Sequence, residues 1–99
     1  MTERWQLLQD KIGRFTDETF GESTVASKMA HLREELDEVV AAPDDRMEWA
    51  DCMILLLDAA RRAGLSMDDL HQAIEDKMEI NLKREWGEPD KDGVVRHVA

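Results

Sequence analysis

Apolar residues recur along this chain at spacings of three and four, the repeat of an amphipathic helix. Trp5, Leu8, Ile12 and Phe15 mark a first helix over roughly residues 3–15, and the polar run Thr16-Asp17-Glu18-Thr19 up to Phe20-Gly21 reads as a loop. Ser23 or Thr24 is a suitable N-cap for a second helix over about residues 24–42, whose stripe is Val25, Met29, Leu32, Leu36 and Val39. Pro43 ends it, and a third helix begins at Asp44 or Asp45 and stops at Gly64, after Arg61 and Arg62 in its last turn. Between Ala50 and Ala60 that helix is apolar nearly all round except for Asp51 and Asp58, the pattern of a helix at the centre of a bundle. Ser66-Met67-Asp68-Asp69 resembles a capping box and opens a fourth helix that Gly87 and Pro89 stop. Residues 88–99 remain as a tail, either packed on the bundle or frayed.

The expected fold is therefore all-α: one domain over residues 1–99, a four-helix bundle. A chain of 99 residues has a thin core, so the bundle is expected to be completed by oligomerisation. The net charge of −10 argues against binding to nucleic acid, whose backbone is held by Lys and Arg. It would also repel a free nucleotide unless cations intervene. The N-terminus lacks the blocks of a signal peptide, and no apolar run approaches the ~20 residues that span a membrane. Cys52 is the single cysteine, cannot form an internal disulfide, and reads as a small buried hydrophobe in a reducing, cytoplasmic protein.

Two carboxylate pairs change the picture from fold to chemistry. Glu35 and Glu38 are three residues apart on the second helix, and Glu48 and Asp51 are three apart on the third. Such positions share a face, with Cβ atoms ~5–6 Å apart. A short turn between the helices makes them antiparallel, so the pairs can converge on a hard cation such as Mg²⁺. Glu35 sits at the rim of its apolar stripe, about 60° from Leu32, and Glu38 about 120° away. Asp51 lies in the apolar stretch, where a charge needs a partner or a metal. Each also has an ordinary explanation. Acid pairs are common on solvated faces, and Glu48 could be the N3 glutamate of a capping box with Asp45. Asp58 is expected to pair with Arg61 or Arg62, and His31 and His71 with the glutamates four residues on.

On the fourth helix, Leu70, Ile74, Lys77, Asn81 and Arg84 form a stripe that turns polar without changing its angle. Lys77, Asn81 and Arg84 would then meet an anion or a base edge from one face, unless they only pair with acids of their own helix. Trp5, Trp49 and Trp86 are expected to anchor a core or an interface. The Glu-x-x-His pairs of a di-iron bundle are absent, as are a Gly-rich phosphate loop, a Ser/His/Asp set and a Cys/His cluster.

Glu35-x-x-Glu38, a short gap, Glu48-x-x-Asp51 and then Lys77-x-x-x-Asn81-x-x-Arg84-x-Trp86 resemble the all-α nucleoside triphosphate pyrophosphohydrolases, the MazG-like superfamily. From residue 20 to residue 97 the text is similar to the small dATP/dGTP pyrophosphohydrolase branch. The resemblance implies hydrolysis of a nucleoside triphosphate, with a purine deoxynucleotide expected, to the monophosphate and pyrophosphate with Mg²⁺ or Mn²⁺. It implies Glu35, Glu38, Glu48 and Asp51 as metal ligands, with Glu35 or Glu38 orienting the attacking water. It further implies Lys77 and Arg84 against the phosphates, Asn81 on the nucleotide, and a homodimer or homotetramer. The alternative is a helical interaction module that keeps the fold without turnover.

Overall fold

The computed structural model describes residues 2–98; Met1 and Ala99, the ends of the expected 1–99 domain, lie outside the described residues. The fold is all-α. Its elements are α1 (Glu3–Phe20), α2 (Val25–Ala41), α3 (Arg46–Arg62) and α4 (Met67–Leu82), and among the described residues there is no strand, only an isolated bridge. Two compact units divide the chain between Asp69 and Leu70.

In the first unit α3 is the helix on which both α1 and α2 pack. Local signals set the ends. Thr24 caps α2, its hydroxyl accepting from the Ser27 amide while the Ser27 hydroxyl accepts from the Thr24 amide, a capping box worth about 0.5–2 kcal/mol. Asp45 caps α3 through the Met47 amide. Ser66 and Asp69 form the expected reciprocal box at the start of α4.

The first helix runs five residues past the expected stop at Phe15. Thr16 belongs to it, its hydroxyl donating to the Gly13 carbonyl, and Asp17 receives the Arg61 guanidinium at 3.0 and 3.3 Å. These tertiary partners outweigh the loop preference of a polar run. Gly21, at φ 72°, ends the helix in a conformation that favours glycine.

Its buried face is also rotated from the apolar stripe. Gln9, Ile12, Gly13 and Thr16 are buried, whereas Trp5, Leu8 and Phe15 are exposed. Gln9 is 1% exposed because its amide donates to the carbonyls of Leu57 (3.0 Å) and Leu65 (3.1 Å), tying α1 to the end of α3. Nor is α3 buried all round: Trp49, Met53, Ile54 and Leu56 are exposed, while Cys52, Leu57, Asp58 and Ala59 face inward. Cys52 is buried, as its apolar setting predicts.

The centre of the unit is charged. Lys28 of α2 donates to Asp58 Oδ2 at 2.5 Å, and Arg61 Nε donates to Asp58 Oδ1 at 2.8 Å. Lys28 is 7% exposed and Asp58 1%. Since Arg61 also holds Asp17, one connected set of charges joins all three helices. Arg61 reaches Asp58 across Gly13: a Cβ there would stand 2.6 Å from Arg61 Cδ and closer still to its Nε.

In the second unit α4 ends at Leu82, short of the expected boundary, so Arg84 lies beyond the helix and does not extend the stripe of Lys77 and Asn81. The backbone tightens into i→i+3 bonds, Lys83 to Ile80 and Arg84 to Asn81, and the Trp86 indole donates back to the Asn81 carbonyl at 3.1 Å. The tail is held rather than frayed. Trp86 bridges His97, Gly87 donates to Arg96, and Asp90 accepts from Asp92, Val94 and Arg96 around a turn at Gly93.

Two outcomes follow for stability. Gly13→Ala should lower the unfolding free energy by about 1–3 kcal/mol in urea titrations, although alanine is the better helix former, because the added methyl meets a pinned side chain. Asp58 gives a pH signature. Burial alone would raise its pKa, but hydrogen bonds from Lys28 and Arg61 hold it below the ordinary 3.8. A carboxylate with a lowered folded pKa stabilises fully above its unfolded value and loses that contribution as pH falls through the folded one. Asp58→Asn should therefore be markedly less stable than wild type at pH 7, and the gap should close as pH falls below 3.8. A gap independent of pH would mean that the Asp58 charge does not matter.

Candidate metal centre

The crossing of α2 and α3 brings three of the four carboxylates together. Glu35, Glu48 and Asp51 each offer an oxygen, and these oxygens lie within 4.8 Å of one another. Glu35 and Glu48 are half-buried and Asp51 is exposed. The expectation of a buried Asp51 is corrected, since Asp51 opens to the site; Asp58, two turns on, is the buried charge and pairs with Arg61 as its spacing predicts, with Lys28 as a second partner.

Glu38 is exposed and stands outside the three-oxygen cluster, one turn along α2. It is nevertheless close enough for its charge to act on Glu48. Partial burial first, then the charges of Glu38, Asp45, Asp51 and Glu35, push the Glu48 carboxyl above its ordinary pKa. Glu48 also escapes the capping explanation: Asp45 caps the helix without it, and the Asp45 amide donates to the Ala42 carbonyl. The thiol of Cys52, buried beside the cluster, is raised by burial and then by Glu35, Asp51 and Glu48.

His31 Nε2 lies 3.1 Å from Glu35 Oε1, the expected contact along the helix; His71 makes the same contact with Glu75 at 3.7 Å. No Lys or Arg pairs with Glu35, Glu48 or Asp51 among the described residues. Three converging carboxylates without a Lys or Arg partner among the described residues repel one another, and oxygen donors suit a hard divalent cation. The donor set fits one.

Glu35 and Asp51 also form one end of a cleft of about 400 Å³ whose walls include Phe15, Phe20, Ile54 and Leu55. Lys28 and Asp58 line it as well. Neither Lys28 nor Gln9 is marked by any sequence spacing; only the mismatch between the buried face of α1 and its apolar stripe would have pointed to Gln9. Of the anion-binding trio, Lys77 is exposed on α4, Asn81 is half-buried near its end, and Arg84 is half-buried on the turn beyond it.

The family model of the dATP/dGTP pyrophosphohydrolases matches residues 8–99. The Eaa protein of Salmonella phage P22 is 44% identical over 82 residues, which cover 83% of this chain and 26% of that protein. A dATP/dGTP diphosphohydrolase of Salmonella phage PMBT28 is 38% identical over 92 residues, 92% of this chain and 30% of that protein. The chain thus spans less than a third of these two relatives. It spans 65% of a dATP/dGTP diphosphohydrolase of cyanophage S-2L, which is 39% identical over 72 residues, 71% of this chain. A solved structure of a MazG-like pyrophosphohydrolase from cyanophage S-2L, bound to dGDP and three catalytic Mn²⁺ ions per active site, shares the fold. Its TM-score is 0.79 at 33% identity, over 93% of this chain and 94% of that one. This chain belongs to the dATP/dGTP pyrophosphohydrolase family.

Proposed function

We propose that residues 1–99 act as one catalytic domain that hydrolyses purine deoxynucleoside triphosphates, dATP or dGTP, to the monophosphate and pyrophosphate with Mg²⁺ or Mn²⁺. The observation that carries this is the convergence of Glu35, Glu48 and Asp51 within 4.8 Å, unpaired with any Lys or Arg among the described residues, in a chain of this family. Relatives described as dATP/dGTP diphosphohydrolases and a neighbour bound to dGDP and Mn²⁺ support the substrate and the metal.

Glu35, Glu48 and Asp51 would hold the cation, with Glu38, one turn further along α2, completing the set. A divalent cation bound there supplies charge screening for the triphosphate and lowers the pKa of a coordinated water. Glu35 or Glu38 orients the water and takes its proton. The water oxygen ends on one phosphoryl group as the α–β anhydride bond breaks, and monophosphate and pyrophosphate leave. Lys77 and Arg84 complement phosphate charge, and Asn81 hydrogen-bonds the nucleotide. That Arg84 sits on a turn frees it from the helical register without removing its charge.

The working form is a homodimer or homotetramer in the cytoplasm, where its nucleotides are. An apolar groove of about 530 Å³ supports this, lined by Trp5, Leu8, Trp49, Met53 and Ile54 among others. Those five side chains are 40–53% exposed in the single chain and share one groove, an apolar face that a second copy would cover.

Pyrophosphate release from the four ribo- and four deoxynucleoside triphosphates, each with Mg²⁺, Mn²⁺ or chelator, tests the activity. Metal-dependent release from dATP and dGTP is expected. No release from folded protein would leave a non-catalytic binding module. Glu38→Gln should lower kcat by about 10²–10³-fold, as losing one group at a reacting centre does, with helicity and oligomer mass unchanged. Full activity in that variant would remove Glu38 from the site.

A further inference from the structure

The carboxylates occupy only one end of the cleft. Lys28 is seven residues before Glu35 on α2, and Asp58 seven after Asp51 on the antiparallel α3. Two helical turns place each pair about 10 Å apart along its helix. One end of the cleft is therefore acidic, and the other holds the buried Lys28–Asp58 pair. That separation leaves room for a nucleotide whose phosphates meet the acidic end and whose base lies toward Lys28. Phe15 and Phe20, edge to face at 5.9 Å and both more than half exposed, supply apolar wall for a flat ring.

The Lys28 end is built to donate. An ammonium carries three donors, and among the described residues one partner is present, Asp58 Oδ2. Both Asp58 oxygens already receive a hydrogen bond, the second from Arg61 Nε. Neighbouring groups are engaged too: the Ser27 hydroxyl serves the α2 cap, and the Thr16 hydroxyl donates to Gly13. At 7% exposure, a donor without a partner is costly, and an in-plane acceptor on a ligand would satisfy it.

Adenine and guanine differ at position 6, one carrying a donor and the other an acceptor, but both present N7 as an acceptor. Pyrimidines have no N7. A site that offers donors at this point and takes both purines must read what they share. We infer that Lys28, held in place by Asp58, donates to N7 of the purine base and so sets the preference for purines over pyrimidines. This rests on the nucleotide reading given under Proposed function.

The test compares dGMP and dAMP with their 7-deaza analogues, in which a C–H replaces N7. Calorimetric Kd values need no turnover and stand beside kcat/KM for the corresponding triphosphates. In wild type the 7-deaza ligands should bind about 10–100-fold more weakly. In Lys28→Met the natural and 7-deaza ligands should bind alike; Lys28→Arg, which keeps both the charge and the donors, should retain discrimination. A purely structural Lys28 would give variants of lower stability with unchanged discrimination, and that result overturns the inference. Equal Kd values in wild type overturn it whatever the variants do. Hydrolysis of dGTP without 7-deaza discrimination would sink this inference and leave the activity standing. Discrimination without hydrolysis would do the reverse.

Discussion

The first unit depends on a charge buried where apolar packing would be expected. Asp58, almost wholly enclosed, is reached from α2 by Lys28 and from its own helix by Arg61, and Arg61 goes on to Asp17 of α1. Replacing such a set by apolar residues can be neutral or stabilising, whereas removing one member leaves an uncompensated charge at about 3–5 kcal/mol. Its value is register. A one-residue slip of α2 against α3 would turn Lys28 away from Asp58, so the network fixes how the helices align. The same alignment, two turns along both helices, brings Glu35 to Glu48 and Asp51.

The two ends of the α2–α3 contact thus do opposite things with the same kind of group. At one end carboxylate meets ammonium and guanidinium and is held below its ordinary pKa. At the other, carboxylates meet one another, and partial burial together with their charges pushes Glu48 above it. Repulsion of that kind is tolerated at a site that takes up a cation, and it lies at the more open end of the contact, where a charged substrate can arrive. Gly13 shows how tightly the arrangement is packed: Arg61 crosses α1 where only a residue without a side chain leaves room.

Much of this was legible in the sequence. Helical periodicity and capping residues located all four helices, and the spacing of Glu35, Glu48 and Asp51 anticipated their convergence, because i, i+3 geometry is local. What was illegible was decided by tertiary partners. The polar run after Phe15 reads as a loop until Arg61 is known to reach Asp17. Asp51 and Asp58 sit in the same apolar stretch, and sequence offers no means of saying which faces Lys28. Trp5, Leu8 and Phe15 of the α1 stripe and Trp49, Met53 and Ile54 of α3 are apolar yet exposed, since periodicity shows that a face is apolar and not what covers it. Arg84 lies off the α4 stripe because Trp86 folds back on Asn81, a contact with no periodic signature.

The central claim is that the α2–α3 carboxylates form one cation site. Counting bound Mn²⁺ by electron paramagnetic resonance, in wild type and in Glu48→Gln, tests it most directly, since it asks nothing of substrate or turnover. The account predicts that wild type depletes the free Mn²⁺ signal stoichiometrically, and that the Gln variant, folded and of the same oligomer mass, binds at least about tenfold more weakly. Equal Mn²⁺ binding by the two proteins would contradict it.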